Sequence, residues 1–392
     1  MSLYLFMEKD EVESKKLKNE IALIDADLLD RNARHPNLAL MKISNYYKQK
    51  GFNTRLVLSY EEDFFNNPNT IFLSKVFTNT KIPFNVTDIP NLKNGGTGFK
   101  TSADLSNEIE HCFPDYDLYD EYVKYNVENL EKREKTFDAY KKFSIGFMTR
   151  GCFRKCEFCV NKKYDSVLKH SPLEEFFDND RKYIRLWDDN ILAYRKWDKV
   201  FEELNNTNKP FIFQQGLDIR MLTQRKVDTL LDSNYFDDRY IFAFDYIRDR
   251  EIITKKLKLW AESYSATGRR GHGYWGKLYV FGGLDVGHED LHSMLTRIKI
   301  IMEHGSIPYT MLFEKHTIRN RTKYGELYMA IKNWTNFVPS IMSTTLMESL
   351  SNEDRHSLKK QEVLFKLMKE LENINPEFKE LFNVSFKKNR KY

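Results

Sequence analysis

Short apolar runs alternate along this chain with longer stretches in which apolar residues recur every three to four positions, the spacing of strands and amphipathic helices in turn. IALIDAD, Ile21 to Asp27, predicts a strand ending in acidic residues, and helical spacing runs from Pro36 to about Lys50, where Gly51 stops it. NTRLVLS, Asn53 to Ser59, and TIFLSKVFT, Thr70 to Thr78, predict two further strands. Strands alternating with helices predict a small open parallel sheet over residues 1–115. Gly95-Gly96-Thr97-Gly98 lacks the spacing of a phosphate-binding loop and reads as a turn.

Residues 116–142 are acidic, Tyr-rich and strongly charged, which predicts a solvated connecting helix at a domain boundary. Beyond it a strand-plus-helix unit recurs six times, with strands at Phe143 to Met148, Tyr183 to Trp187, Phe211 to Gln215, Arg239 to Phe244, Lys277 to Phe281 and Pro308 to Phe313. Helical spacing fills the intervals, for example Asp249 to Ser263 and Glu289 to His304. The fold class is therefore α/β, with a partial, TIM-like (β/α)6 barrel over 143–320 and a helical C-terminal extension over 321–392. In such barrels chemistry gathers at the strand C-termini. There the sequence places Cys152, Asp188, Asp189, Asn190, Gln215, Asp218, Arg220, Asp245 and Asp285. The extension carries an amphipathic helix through Leu364, Leu367 and Leu371 and ends in a basic tail, Lys387 to Lys391, that reads as a solvated terminus.

Composition narrows the class. At 392 residues, 41% hydrophobic and 30% charged, the chain is globular and long enough for two domains. Its 62 basic and 57 acidic residues leave a net charge of +5, too even to indicate nucleic acid by itself. No run approaches the roughly 20 apolar residues that span a bilayer, and MSLYLFMEKDEVESKK has no basic n-region or cleavage site, so a cytoplasmic protein without membrane contact is expected. Of four cysteines, Cys112 stands alone and Cys152, Cys156 and Cys159 share one short window, an odd trio that suits metal ligation better than disulfide pairing.

The trio lies in TRGCFRKCEFCVNKK, with spacing C-x3-C-x2-C directly after a predicted strand. Three thiolates on one tight loop suit three irons of a [4Fe-4S] cube and leave the fourth iron open. An open iron takes the amine and carboxylate of a ligand such as S-adenosylmethionine (SAM). In this position the motif resembles the radical SAM superfamily, over about residues 143–315. The resemblance implies that Phe158, before the third cysteine, packs near the adenine. It implies that Asp188-Asp189-Asn190 after the second strand helps hold SAM, similar to the form in cobalamin-type relatives rather than the common Gly-Gly-Glu. Gln215, Asp245 and Gly283, after later strands, look like further cofactor contacts, and an external one-electron donor of flavodoxin or ferredoxin type is implied as partner.

The sheet before the barrel looks like the flavodoxin-like cobalamin-binding domain of one class of these enzymes. No Asp-x-His-x-x-Gly ligand motif occurs, and Asp25, Asp27 and His35 have the wrong spacing for it. That leaves two readings open, a cobalamin binder or a degenerate domain serving substrate binding or packing. With only Cys112 outside the trio, a second cluster held by this chain is not expected, and Cys112 reads as a small half-buried side chain.

Other features have plainer readings. His288-Glu289-Asp290-Leu291-His292 matches the zinc motif H-E-x-x-H, but the helix starts there and acidic residues at its N-terminus favour the dipole. Arg154 and Lys155 within the loop suit either substrate anions or solvent, and Arg269-Arg270-Gly271-His272-Gly273 reads as a surface turn. The competing functional class is a non-catalytic protein whose cysteine trio and a histidine hold structural zinc. The sequence does not choose a substrate, and a nucleic acid has no motif of its own.

Overall fold

The computed structural model describes residues 19–61, 70–87, 89–99, 104–126, 134–353 and 357–389, so the N-terminal sixteen-residue stretch and the end of the basic tail lie outside the described residues. The chain divides into two compact units, Met1–Gly146 with Ser171–Arg185, and Phe147–His170 with Leu186–Tyr392.

The first unit is built on four parallel strands, β1 (Glu20–Asp25), β2 (Asn53–Leu56), β3 (Thr70–Ser74) and β4 (Leu92–Gly95), in the order β2-β1-β3-β4. β1 is buried at every position after Glu20, as a central strand covered on both faces must be. Ala22, Ile24, Val57, Ile71, Leu73 and Val86 form its core. The helix Leu38–Gln49 is capped by Asn37, whose side chain accepts from the Leu40 amide. Gly96 lies at φ +101, where an added Cβ would meet the Lys75 carbonyl oxygen at 2.3 Å, so the Gly-rich patch is a turn packed on the loop after β3.

The charged stretch before the second set of strands is not the solvated connection its composition suggests. Helices Asp120–Tyr125 and Glu134–Lys141 are described, with 127–133 outside the described residues. Tyr116, Tyr119, Tyr122, Val123, Ala139 and Tyr140 are all buried. Three of these rings pack together, Tyr119 and Tyr122 lying 5.3 and 5.5 Å from Tyr140. Aromatic bodies every three to four residues outweigh the intervening charges, of which Asp117, Asp120, Glu121 and Lys124 are exposed.

All six later strands form, as β5 (Phe143–Gly146), β8 (Tyr183–Leu186), β9 (Phe211–Phe213), β10 (Ile241–Ala243), β11 (Lys277–Gly282) and β12 (Ile307–Leu312). Between β5 and β8 stands a short antiparallel pair, β6 (Thr149–Arg150) and β7 (Leu168–Lys169). In the second unit β10, β11 and β12 are parallel, and the segment just after β9 meets β10 through one isolated bridge, Leu217 to Phe242. Helices Arg250–Ala266 and His288–Glu303 follow β10 and β11. Trp260 and Tyr264 of the former pack with Tyr235, Tyr240 and Phe242 in a buried aromatic cluster. The protein is thus mixed α/β, with small parallel sheets and many helices. No helix among the described residues is long and apolar enough to cross a membrane.

Candidate metal centre

The cysteines sit on the loop that β6 and β7 close, and the chain enters it through Gly151. Its φ of +101 turns the backbone, and a Cβ there would lie 2.3 Å from the Ser166 carbonyl oxygen across the loop. The Gly151 amide donates to Asp189 at 2.7 Å. Lys155 staples the loop from within, its ammonium donating to the carbonyls of Lys162 and Tyr164 and pairing with Asp165 at 2.7 Å. Arg154 reaches out to Asp218 at 2.8 Å, and the Glu157 amide donates to the Tyr246 hydroxyl at 3.1 Å. Both loop cations that sequence left between substrate and solvent therefore have internal partners.

All three thiols are partly exposed and free. Three N–H groups point at two of them. The Arg154 and Asn161 amides lie 3.4 Å from Cys152 and Cys159 Sγ respectively, and Asn190 Nδ2 lies 3.4 Å from Cys152 Sγ. Such donors stabilise thiolate and cluster sulfur. Burial pushes the Cys156 thiol up to about 11, the Asp245 carboxylate and the neighbouring thiols adding to the rise and Arg220 opposing it. Metal binding there displaces a proton at neutral pH.

Among the described residues no three Cys, His, Asp or Glu side chains converge on one point as a single metal ion requires. A cube takes each thiolate on a different iron, so its ligands need not meet. Soft donors, solvent access and N–H groups directed at sulfur make this loop fit a [4Fe-4S] cluster.

The segment after β8 builds the support. Asp188 is 2% exposed and accepts from the Thr149 amide and hydroxyl, both at 2.6 Å, and from the Met148 amide at 3.2 Å. Asp189 takes the Gly151 amide, so the pair fixes the backbone just ahead of Cys152. Asn190, also 2% exposed, directs Nδ2 at Cys152 and at Asp218, 3.5 Å away. Asp218 is held ionised, below the usual carboxylate range, by Arg220 and Arg154 despite its burial, so it only accepts, and the amide nitrogen must face it. Asn190 Oδ1 then points away, buried and without a hydrogen-bond partner. A buried orphan acceptor costs about 1–3 kcal/mol until a donor fills it.

Burial pushes the Asp188 carboxyl up to about 6 from 3.8. A raised acid favours the folded state while protonated, so its contribution is full below about pH 4 and lost as pH rises through about 6, amounting to about 3 kcal/mol. Asp188→Asn does not titrate. In urea unfolding the variant should gain on the wild type by that order between those pH values, on top of a constant loss of about 1 kcal/mol for the hydrogen bond its amide forfeits; an unchanged difference across the range would refute this.

An aromatic wall faces the other side of the loop. Phe158 stacks on Phe281 at the end of β11, ring centroids 3.8 Å apart at 21°, with Tyr246 at 6.1 Å. Arg297, 2% exposed, fixes this wall by donating to the carbonyls of Phe244, Asp245 and Phe281 at 2.7–3.0 Å. Asp245 is partly buried, and burial pushes its carboxyl up to about 6, Arg297 and Arg220 limiting the rise. Gly283, at φ +83, donates its amide to Asp290 at 2.7 Å. Gln215 is exposed just beyond β9, and no described contact ties it to the cysteine loop.

The sequence does not mark Thr149, Tyr246 and Arg297 as supporting residues, nor the role of Asp218; their only signal is position, Thr149 opening β6 and Tyr246 lying three residues past β10. The H-E-x-x-H pattern is the start of helix His288–Glu303, as its acidic residues suggest. Asp290 is spent on Gly283 and the Tyr328 hydroxyl, and His292 pairs with Glu377 at 2.7 Å.

In the first unit the polar residues after β1 satisfy one another. Asp27 accepts from the Val76 and Phe77 amides, at 2.6 and 3.5 Å, and from the Thr80 hydroxyl. Asp25 caps the helix Ala26–Arg31 and accepts from the Tyr119 hydroxyl at 2.8 Å. His35 contacts Arg185 at 2.8 Å, and burial with that guanidinium lowers its pKa to about 3. Between β1 and β3, where a sheet of this order opens its crevice, the Val76 and Phe77 amides are taken up by Asp27.

Neither a protein-family model nor a curated protein sequence matches the chain. Among solved structures, similar chains include the radical S-adenosylmethionine methyltransferase TsrM from Kitasatospora setae with cobalamin and a [4Fe-4S] cluster bound, at 10% identity and a TM-score of 0.47 over 75% of this chain and 72% of that one. The same enzyme with tryptophan and a SAM analogue gives 11% and 0.48 over 75% and 73%. The cobalamin-dependent S-adenosylmethionine radical enzyme OxsB, with aqua-cobalamin and S-adenosylmethionine bound, gives 14% and 0.44 over 84% and 57%. Cobalamin-dependent radical SAM enzymes are thus among the structures this chain resembles.

Proposed function

We propose that this protein is a radical SAM enzyme whose Cys152, Cys156 and Cys159 hold a [4Fe-4S] cluster. The observation that carries the reading is the C-x3-C-x2-C loop, clamped from three sides and lying against a buried, unfilled acceptor on Asn190. When bound, the cluster supplies an open iron for SAM and the electron that cleaves it, releasing a 5′-deoxyadenosyl radical that takes hydrogen from substrate.

The chain's own residues bind and orient. Asn190 Oδ1 would accept from an N–H of the SAM amino group, which would satisfy the orphan atom. Asp188 and Asp189 keep Cys152 in place by holding the backbone before it. Phe158 and Phe281 offer an apolar face for the adenine, and Asp245 a carboxylate for the ribose hydroxyls, with Gly283 and Gln215 at the rim. The electron comes from an external donor of flavodoxin or ferredoxin type. The strand order β2-β1-β3-β4 favours a flavodoxin-like arrangement for the first domain, residues 1–115, and the six strands a partial barrel over 143–320, joined by 116–142 and followed by the extension 321–392.

Anaerobically reconstituted protein, given SAM and a strong reductant, should form 5′-deoxyadenosine. Reconstituted protein with full iron content that forms none would sink the proposal.

A further inference from the structure

Residues 150–170 carry six basic side chains, Arg150, Arg154, Lys155, Lys162, Lys163 and Lys169, against two acidic ones, Glu157 and Asp165. This one hairpin holds a net +4 in a chain whose total is +5. Most of that charge has partners. Arg154 is paired with Asp218, Lys155 with Asp165, and Lys162 donates to the Glu157 carbonyl. Nearby Arg220 is shared between Asp218 and Asp249.

Arg150 differs. Its guanidinium lies 3.9 Å over the Phe147 ring, and it makes no hydrogen bond or ion pair with any described residue. Its Nε is buried and without a partner. Thr149, the neighbour that alternates to the opposite face of β6, is turned inward onto Asp188, which leaves Arg150 on the other face with Phe147. A planar, permanent cation held flat on a ring, with a buried donor unused, is prepared for a planar or tetrahedral oxyanion that accepts from its fork.

From this geometry we infer that Arg150 receives an oxyanion of the substrate, a phosphate or carboxylate, two residues from the first cluster ligand. The substrate class is accordingly an anionic one. The inference rests on the proposed function only in calling the ligand substrate, since anion binding needs neither cluster nor SAM.

The test uses the full chain, titrated with inorganic phosphate at constant ionic strength with chloride as the reference ion, the thermal midpoint being followed. Wild type should show a saturable rise. Arg150→Met should weaken the apparent affinity at least tenfold, Arg150→Lys should fall between, and Arg270→Met on the surface turn should match wild type. In cluster-loaded protein, Arg150→Met should keep wild-type iron content and the wild-type SAM dependence of the EPR signal. Phosphate without effect on wild type, or a wild-type response in Arg150→Met, overturns the inference. So does loss of the SAM response in Arg150→Met, which would give the guanidinium to the SAM carboxylate. If the Met variant does not fold, the Lys variant carries the same comparison.

Discussion

Cys156→Ala should yield a folded protein that binds no stable cluster after anaerobic reconstitution and forms no 5′-deoxyadenosine, where the wild type holds about four irons per chain. Of the three proposed ligands, Cys156 is the one whose thiol is held above its ordinary value. Burial, with Asp245 adding, raises its thiol, so as a free group it stays protonated and contributes no structural charge, nor a side-chain hydrogen bond among the described residues. Removing it deletes a small side chain on a loop already fixed at Gly151, Arg154 and Glu157. The melting midpoint of the iron-free variant should therefore match iron-free wild type, while iron and sulfide fall to background. Retention of about four irons by the variant would remove Cys156 from the ligand set.

Gly151→Ala should be nearly as severe by a different route. A residue with a Cβ at φ +101 carries strain of about 1–3 kcal/mol. The new methyl would also sit 2.3 Å from the Ser166 carbonyl oxygen, a backbone atom that cannot swing aside. Relief requires β6 and β7 to part, which carries Cys152 away from Asn190 and releases the Asp189 contact. We expect a loss of about 2–4 kcal/mol in unfolding free energy together with a severalfold fall in iron content. Wild-type iron at wild-type stability would show that the turn is not what sets the loop. The two substitutions differ in signature, Cys156→Ala sparing stability and Gly151→Ala lowering both quantities.

The strands and the cysteine loop were legible because each depends on local pattern. The six strands predicted after residue 142 all form where short apolar runs place them, and the helix at His288 starts where its acidic first turn predicts. What was not legible depends on pairing across the chain. Asp188 reads as a cofactor ligand by position, yet its oxygens are taken up by Met148 and Thr149, forty residues earlier. Arg297 reads as an ordinary helical charge, and only folding brings it to three carbonyls at the ends of β10 and β11. The Tyr-rich stretch before residue 142 misled because its charge density outweighs its aromatic spacing in any linear count, whereas burial follows the aromatic face. Asp25, Asp27 and His35 lie close in sequence, but each turns to a different internal partner.

The proposed open iron on a cluster held by three cysteines is open to direct test. The direct measurement is the EPR spectrum of the anaerobically reconstituted, reduced full-length protein, recorded with and without SAM beside iron and sulfide analysis. We expect about four irons with sulfide and a reduced-cluster signal that shifts when SAM is added. Zinc at one per chain without sulfide, or a cluster signal indifferent to SAM, would contradict it.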